Sequence, residues 1–141
     1  MNILEKEVLE TGTLHLKDAD GDLMYDVTKD PKGEESKKPV NVVLFGPASP
    51  EYAKANAKRG SRNLVRARKG KKELSADEIF EDGVRYLCDI TSHFENLELG
   101  DLTGDALTKA VYSNRKLGFI ADQVHAHVGD WENFSKASAQ S

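Results

Sequence analysis

Between Phe45 and Pro50 the spacing of the apolar residues changes, and that change restricts the chain to folds in which strands come first and helices follow. Val40-Asn41-Val42-Val43-Leu44-Phe45 is β-branched and aromatic almost without interruption, and Gly46-Pro47 ends it because proline cannot donate to a sheet ladder. Ser49 is then a good N-cap and Pro50 suits the first helical position, with helix formers continuing to about Lys69. Upstream, Thr13-Leu14-His15-Leu16 and Leu23-Met24-Tyr25-Asp26-Val27 flank a run of turn formers, Lys17 to Asp22, which predicts a hairpin. Lys29 to Pro39 is dominated by charge, proline and glycine and is expected to be a flexible loop. The β part, 11–46, is therefore expected to be a hairpin or three-stranded antiparallel sheet.

The remainder is helical in period. The small residues Ala53, Ala57, Gly60 or Ser61, with Leu64, form the expected inward face of the first helix. Ser75-Ala76-Asp77-Glu78 is a capping box. It opens a second helix whose stripe runs through Ile79, Phe80, Val84, Leu87, Cys88, Ile90 and Phe94. Asp105 to Tyr112 makes a brief third helix. A last helix, Leu117 to Phe134, places Leu117, Ile120, Ala121, Val124, Val128 and Trp131 on one face. The small polar tail 135–141 is expected to be disordered. The predicted fold class is thus α+β: the N-terminal sheet, then a bundle of three to four α-helices over 49–134, all in one domain of 141 residues.

A charged content of 31% and the lack of any apolar window near 18 residues argue against a membrane span. Met1 to Glu10 lacks the apolar run of a secretory signal, so the expected compartment is the cytoplasm. The single cysteine, Cys88, has no partner for an internal disulfide and falls in an apolar helical pattern as a core residue.

Every chemical template fails on spacing. Asp18, Asp20, Gly21 and Asp22 place glycine fourth rather than sixth, and Lys29 stands where a calcium loop needs a bidentate glutamate. His125 and His127, two apart on a helix, diverge by roughly 200°, and His15 and His93 add no ligand spacing. Gly46-Pro47-Ala48-Ser49 lacks the glycine repeat and lysine of a phosphate loop, and Cys88 with His93 lacks an orienting third residue. No catalytic, metal or cofactor residues are expected, and the chain is expected not to be an enzyme.

Charge is segregated. Glu51 to Lys72 carries nine Lys or Arg against one acid, whereas Glu73 to Asp105 carries ten acids against one arginine. The basic run, Lys54 and Lys58 through Arg68, Lys69, Lys71 and Lys72, has the chemistry to contact phosphates. It equally has the chemistry to pair with the acidic helix of the same chain or of a second copy. The net charge of −4 and the lack of a recognition-helix motif favour a protein contact over nucleic acid, with Arg59, Arg62 and Arg66 as its charged residues. Leu117, Ile120, Val124 and Val128 either close the core or face that partner. Trp131 and Phe134, near the end of the chain, are the better exposed anchors.

Val43-Leu44-Phe45-Gly46-Pro47-Ala48-Ser49-Pro50-Glu51-Tyr52, the basic and acidic helices, Leu117-Gly118-Phe119-Ile120-Ala121-Asp122-Gln123-Val124 and Gly129-Asp130-Trp131-Glu132-Asn133-Phe134 together form a pattern. Over about Val40 to Phe134 it resembles the tail assembly chaperones of long-tailed (siphovirus-type) bacteriophages. The resemblance implies a non-enzymatic protein of the host cell cytoplasm that binds the tape-measure protein, keeps it soluble and helps tail-tube protein polymerise around it. It also implies absence from the mature virion, and it supplies no catalytic residues. The β part before Val40 is less characteristic. Two other readings stay open: a structural virion protein of the tail or head–tail junction, and a small nucleic-acid-binding regulator.

Overall fold

The computed structural model describes residues 1–70 and 73–140, so Lys71 and Lys72 of the basic run, and Ser141 of the tail, lie outside the described residues. The fold is α+β. Strands β1 (Thr11–His15), β2 (Tyr25–Lys29), β3 (Glu35–Pro39) and β4 (Asn41–Phe45) precede helices α1 (Pro50–Arg68) and α2 (Ala76–Ile90). Strand β5 (Thr91–Glu95), α3 (Gly104–Ser113) and α4 (Gly118–Val128) follow.

The three-stranded antiparallel sheet exists, but its membership differs from the expectation. Its order is β1-β4-β5, with Thr11 opposite Phe45 and His15 opposite Asn41. The turn between Leu16 and Leu23 forms as predicted: the Asp18 carboxylate accepts from the Asp20 and Asp22 N–H groups at 2.9 and 3.0 Å, and Gly21 takes φ 89°. Beyond one bridge, Lys17 to Leu23, the two flanking segments part company. Leu16 donates to the Val40 carbonyl, Met24 donates to Leu16, and Val40 donates to Met24, so a three-way junction replaces the hairpin. Leu16 is wholly buried there, while Val27 on β2 is 47% exposed. The apolar row of β1 belongs to the core and that of β2 does not.

Strand β2 pairs instead with β3, Tyr25 opposite Pro39 and Lys29 opposite Glu35, inside the segment expected to be a loop. The cause is a second copy of the first turn. Asp30 accepts from the Lys32 and Glu34 N–H groups, both at 2.9 Å, and Gly33 takes φ 82°. Every residue of β3 is exposed, so composition disguised a strand that projects as a two-stranded ribbon.

Helix α2 starts at the predicted capping box, where Ser75 Oγ accepts from the Glu78 N–H at 3.2 Å. It stops at Ile90 rather than Phe94. Thr91-Ser92-His93-Phe94 extends and pairs with β4, with a register irregularity between Val43 and Leu44. The buried Thr91 hydroxyl lies 2.7 Å from Tyr112 Oη, which ties β5 to α3. Val42, Leu44, Leu16 and Ile90 lie in one core with Val111 of α3 and Val124 of α4. Cys88 is half-buried against that core, and burial pushes its thiol above the ordinary range.

The predicted C-terminal helix divides. α4 ends at Val128, and Asp130 accepts from the Glu132 N–H at 3.1 Å to cap a separate 3₁₀ turn, Trp131–Phe134. That turn takes Trp131 off the α4 face and leaves it 57% exposed. It carries Phe134 inward to 1% exposure, which corrects the reading of Phe134 as an exposed anchor. The ring lies over two glycines of the sheet end. A Cβ added at Gly12 would sit 2.8 Å from Phe134 Cδ1, and one at Gly46 would sit 2.6 Å from Cε1 and Cγ. Both glycines are needed for the ring to approach the backbone this closely. The tail expected to be disordered also carries structure, since residues 138–140 form a 3₁₀ turn and the Ser138 N–H donates to Ser135 Oγ.

Candidate functional site

Two surfaces hold some of the residues singled out in the sequence, Arg59, Arg62 and Arg66 at one and Leu117 and Ile120 at the other. The first lies between α1 and α2. The expected inward face of α1 is corrected: Ala53, Ala57, Gly60 and Leu64 are exposed, Leu64 at 53%, and Ala55 is the one buried residue of the helix. The stripe facing α2 is instead Tyr52, Ala55, Arg59, Arg62 and Arg66, spaced at three and four residues. A helix with arginines on its inner face needs an acid opposite. α2 supplies Asp82, only 5% exposed.

Arg62 Nε donates to Asp82 Oδ1 at 2.6 Å, Arg59 Nε donates to Oδ2 at 3.1 Å, and Arg66 Nη1 stands 3.6 Å from Oδ1. Burial alone would raise the Asp82 pKa. The hydrogen bonds and charges of Arg62 and Arg59 outweigh it and hold the carboxyl below its ordinary value. Arg59 also stacks over the Tyr86 ring, 4.6 Å from its centroid, and burial with the neighbouring Tyr52 pushes the Tyr86 hydroxyl up to about 12. Of the pairings open in the sequence, the one within a single chain is formed.

The second surface is a cavity of about 310 Å³ at the junction of β2, the loop after β5 and the start of α4. Met24, Leu97, Leu99, Leu117 and Phe119 line it as half-buried side chains, Tyr25 stands exposed at it, and the buried Val40, Val111 and Ile120 belong to the core beneath. Asn96 shapes the loop. It takes φ 60°, a conformation asparagine tolerates, and its Nδ2 donates to the Pro39 carbonyl at 2.8 Å. Of the C-terminal residues picked from sequence, Leu117 and Ile120 line this cavity, whereas Val124 and Val128 are 0% and 3% exposed and serve the core alone. The structure therefore scatters that set. Asp82, Leu97, Leu99 and Phe119 are site residues that the sequence reading does not single out. Arg59, Arg62 and Arg66 at helical spacing were the available signal for a buried acid facing them.

Among the described residues, no three His, Cys, Asp or Glu side chains converge as a metal site, and no helix is long and apolar enough to cross a membrane. His127 Nε2 is buried with no hydrogen-bond partner, and burial, partly offset by Asp130, lowers the His127 pKa. No protein-family model, no curated protein and no solved structure matches the chain.

Histidines with lowered pKa values, His125 and His127, and the buried Asp82 set a two-stage acid response. The unfolded histidine titrates near 6.5 and folded His127 below it, so the unfolded chain takes up the proton first and stability falls as pH drops below about 6.5. The contribution of Asp82 is intact in that range. It is lost only as pH falls below 3.8 towards the lower folded value. Denaturant melts from pH 8 to pH 3 should show both stages, and His127→Gln should shrink the upper one without abolishing it, because burial and the charge of Arg59 lower the His125 pKa as well.

Proposed function

We propose that the chain is a tail assembly chaperone that binds the tape-measure protein non-catalytically, holding it soluble while tail-tube subunits assemble around it. The sequence pattern from Val40 to Phe134 supports this, and the observation that carries the binding step is the apolar cavity bounded by Leu97, Leu99, Leu117 and Phe119. Its volume of about 310 Å³ lies at the small end of the range for ligand sites, suited to one or two large side chains. An amphipathic helix presents such side chains at a spacing of three or four, which matches a long helical client. The polynucleotide reading is disfavoured because Asp82 draws Arg59, Arg62 and Arg66 to the α2-facing side of α1 and offsets part of their charge.

Co-expression with the tape-measure protein tests the proposal. Wild type should keep the client in the soluble fraction and co-purify with it. Leu117→Asn, verified as folded by a thermal melt, should reduce capture at least about tenfold, the loss expected when a central apolar contact worth about 1.4 kcal/mol is removed. Equal capture by the folded variant would refute the cavity as the client site.

A further inference from the structure

The outer turns of α1 and α2 enclose a second cleft, of about 390 Å³, lined by Arg62, Val65, Arg66, Lys69, Glu78 and Arg85. Its charges do not balance. Asp82 is shared among three guanidinium groups, and the Glu78 carboxylate accepts from the Ser75 hydroxyl at 3.2 Å in the capping box of its own helix. Lys69 and Arg85 are exposed and make no ion pair among the described residues. Arg62 Nη2 is buried and has no hydrogen-bond partner, so Asp82 satisfies that guanidinium only in part.

We infer that this cleft binds an oxyanion, and that its occupant is a carboxylate of an acidic segment on a protein partner. A planar carboxylate matches the fork of a guanidinium. Val65, 47% exposed in the same cleft, offers apolar surface to the aliphatic stem of a glutamate. A nucleic acid strand would carry its row of phosphates along α2 past the exposed Glu81, three residues on from Glu78 of the cleft, and would meet its charge. A single acidic side chain avoids that repulsion. The inference extends the proposed function from an apolar contact to a second, charged one, and it rests on that reading only in taking the partner to be a protein.

The probes are a fluorescein-labelled helical peptide of alanine and glutamate, its alanine–lysine counterpart and a thymidine oligonucleotide, each followed by anisotropy at low and high salt. The glutamate peptide should bind the full chain, more weakly as salt rises, and the lysine peptide should not. Arg66→Gln and Arg85→Gln should each weaken binding about threefold to fivefold, the upper range for one partly exposed ion pair. Lys54→Gln, on α1 outside the cleft, should change it by less than about twofold. Arg85 is exposed, so Arg85→Gln remains a valid test even where Arg66→Gln lowers stability. Absence of glutamate-peptide binding, an equal loss in Lys54→Gln, or tighter binding of the oligonucleotide would overturn the inference. None of these outcomes bears on tape-measure capture at the apolar cavity, which is read out separately.

Discussion

Phe134→Ala is expected to lower folding stability by about 3–5 kcal/mol, the range for deleting a buried aromatic ring from a site that cannot collapse. The ring is 1% exposed and lies over Gly12 and Gly46. Backbone forms that side of the slot and cannot move in to fill the void. In a chain of this size the melting temperature should fall by more than about 10 °C. Gly46→Ala should also destabilise, by about 1–3 kcal/mol, because the added methyl would overlap the ring. The two substitutions should be strongly non-additive, since alanine at 46 is tolerated once the ring is gone. Additive losses in the double variant would place the ring elsewhere. Trp131, 57% exposed on the same turn, provides the contrast: Trp131→Ala should leave the melt within about 1 kcal/mol of wild type.

Asp82→Asn should cost about 3 kcal/mol at pH 7, the lower end of the range for breaking a buried ion pair because Arg59 keeps access to solvent. The loss arises less from the missing attraction than from three arginines on one stripe of α1 left without an acid opposite. Two controls separate this from a surface charge effect. Glu81→Gln, one position away and exposed, should be nearly neutral. The Asp82→Asn penalty should shrink as pH falls below 3.8, where the wild-type carboxylate begins to protonate as well. A denaturant melt at pH 7 showing less than about 1 kcal/mol of loss would remove Asp82 as the organising charge of the helix pair.

How much of this was legible in the sequence depended on whether the signal was local. The Ser49 and Ser75 caps, the end of β4 at Gly46-Pro47 and the burial of Ile120, Val124 and Val128 follow from short-range chemistry and hold in the structure. Partner choice between strands is not local. Thr13–Leu16 and Leu23–Val27 flank a good turn, yet β1 pairs with β4, because the half-buried Leu14 and the buried Leu16 just after the strand must join Val42 and Leu44 in one core. Strand β3 was hidden by composition, although the Asp30-to-Gly33 spacing repeats that of Asp18 to Gly21 and offers the same turn. Small residues at 53, 57 and 60 imitated a packing face on α1. Charge complementarity to a single buried acid overrode them, and a periodicity count cannot see that acid because it lies on another helix. The candidate cavity was half visible. Leu117 and Ile120 stood out by spacing, whereas Leu97 and Leu99 come from a loop that carries no period, and Phe119 lies off the apolar stripe of α4.

A photo-crosslinking residue placed at Tyr25, exposed at the cavity, in a cell producing both proteins reports whether the cavity beside Leu117 receives a helical client. Irradiation is expected to join the chain to the tape-measure protein, and the same residue placed at Lys54 on the far helix is expected to give no such product. Crosslinks to the tape-measure protein from Lys54 but not from Tyr25 would contradict that expectation.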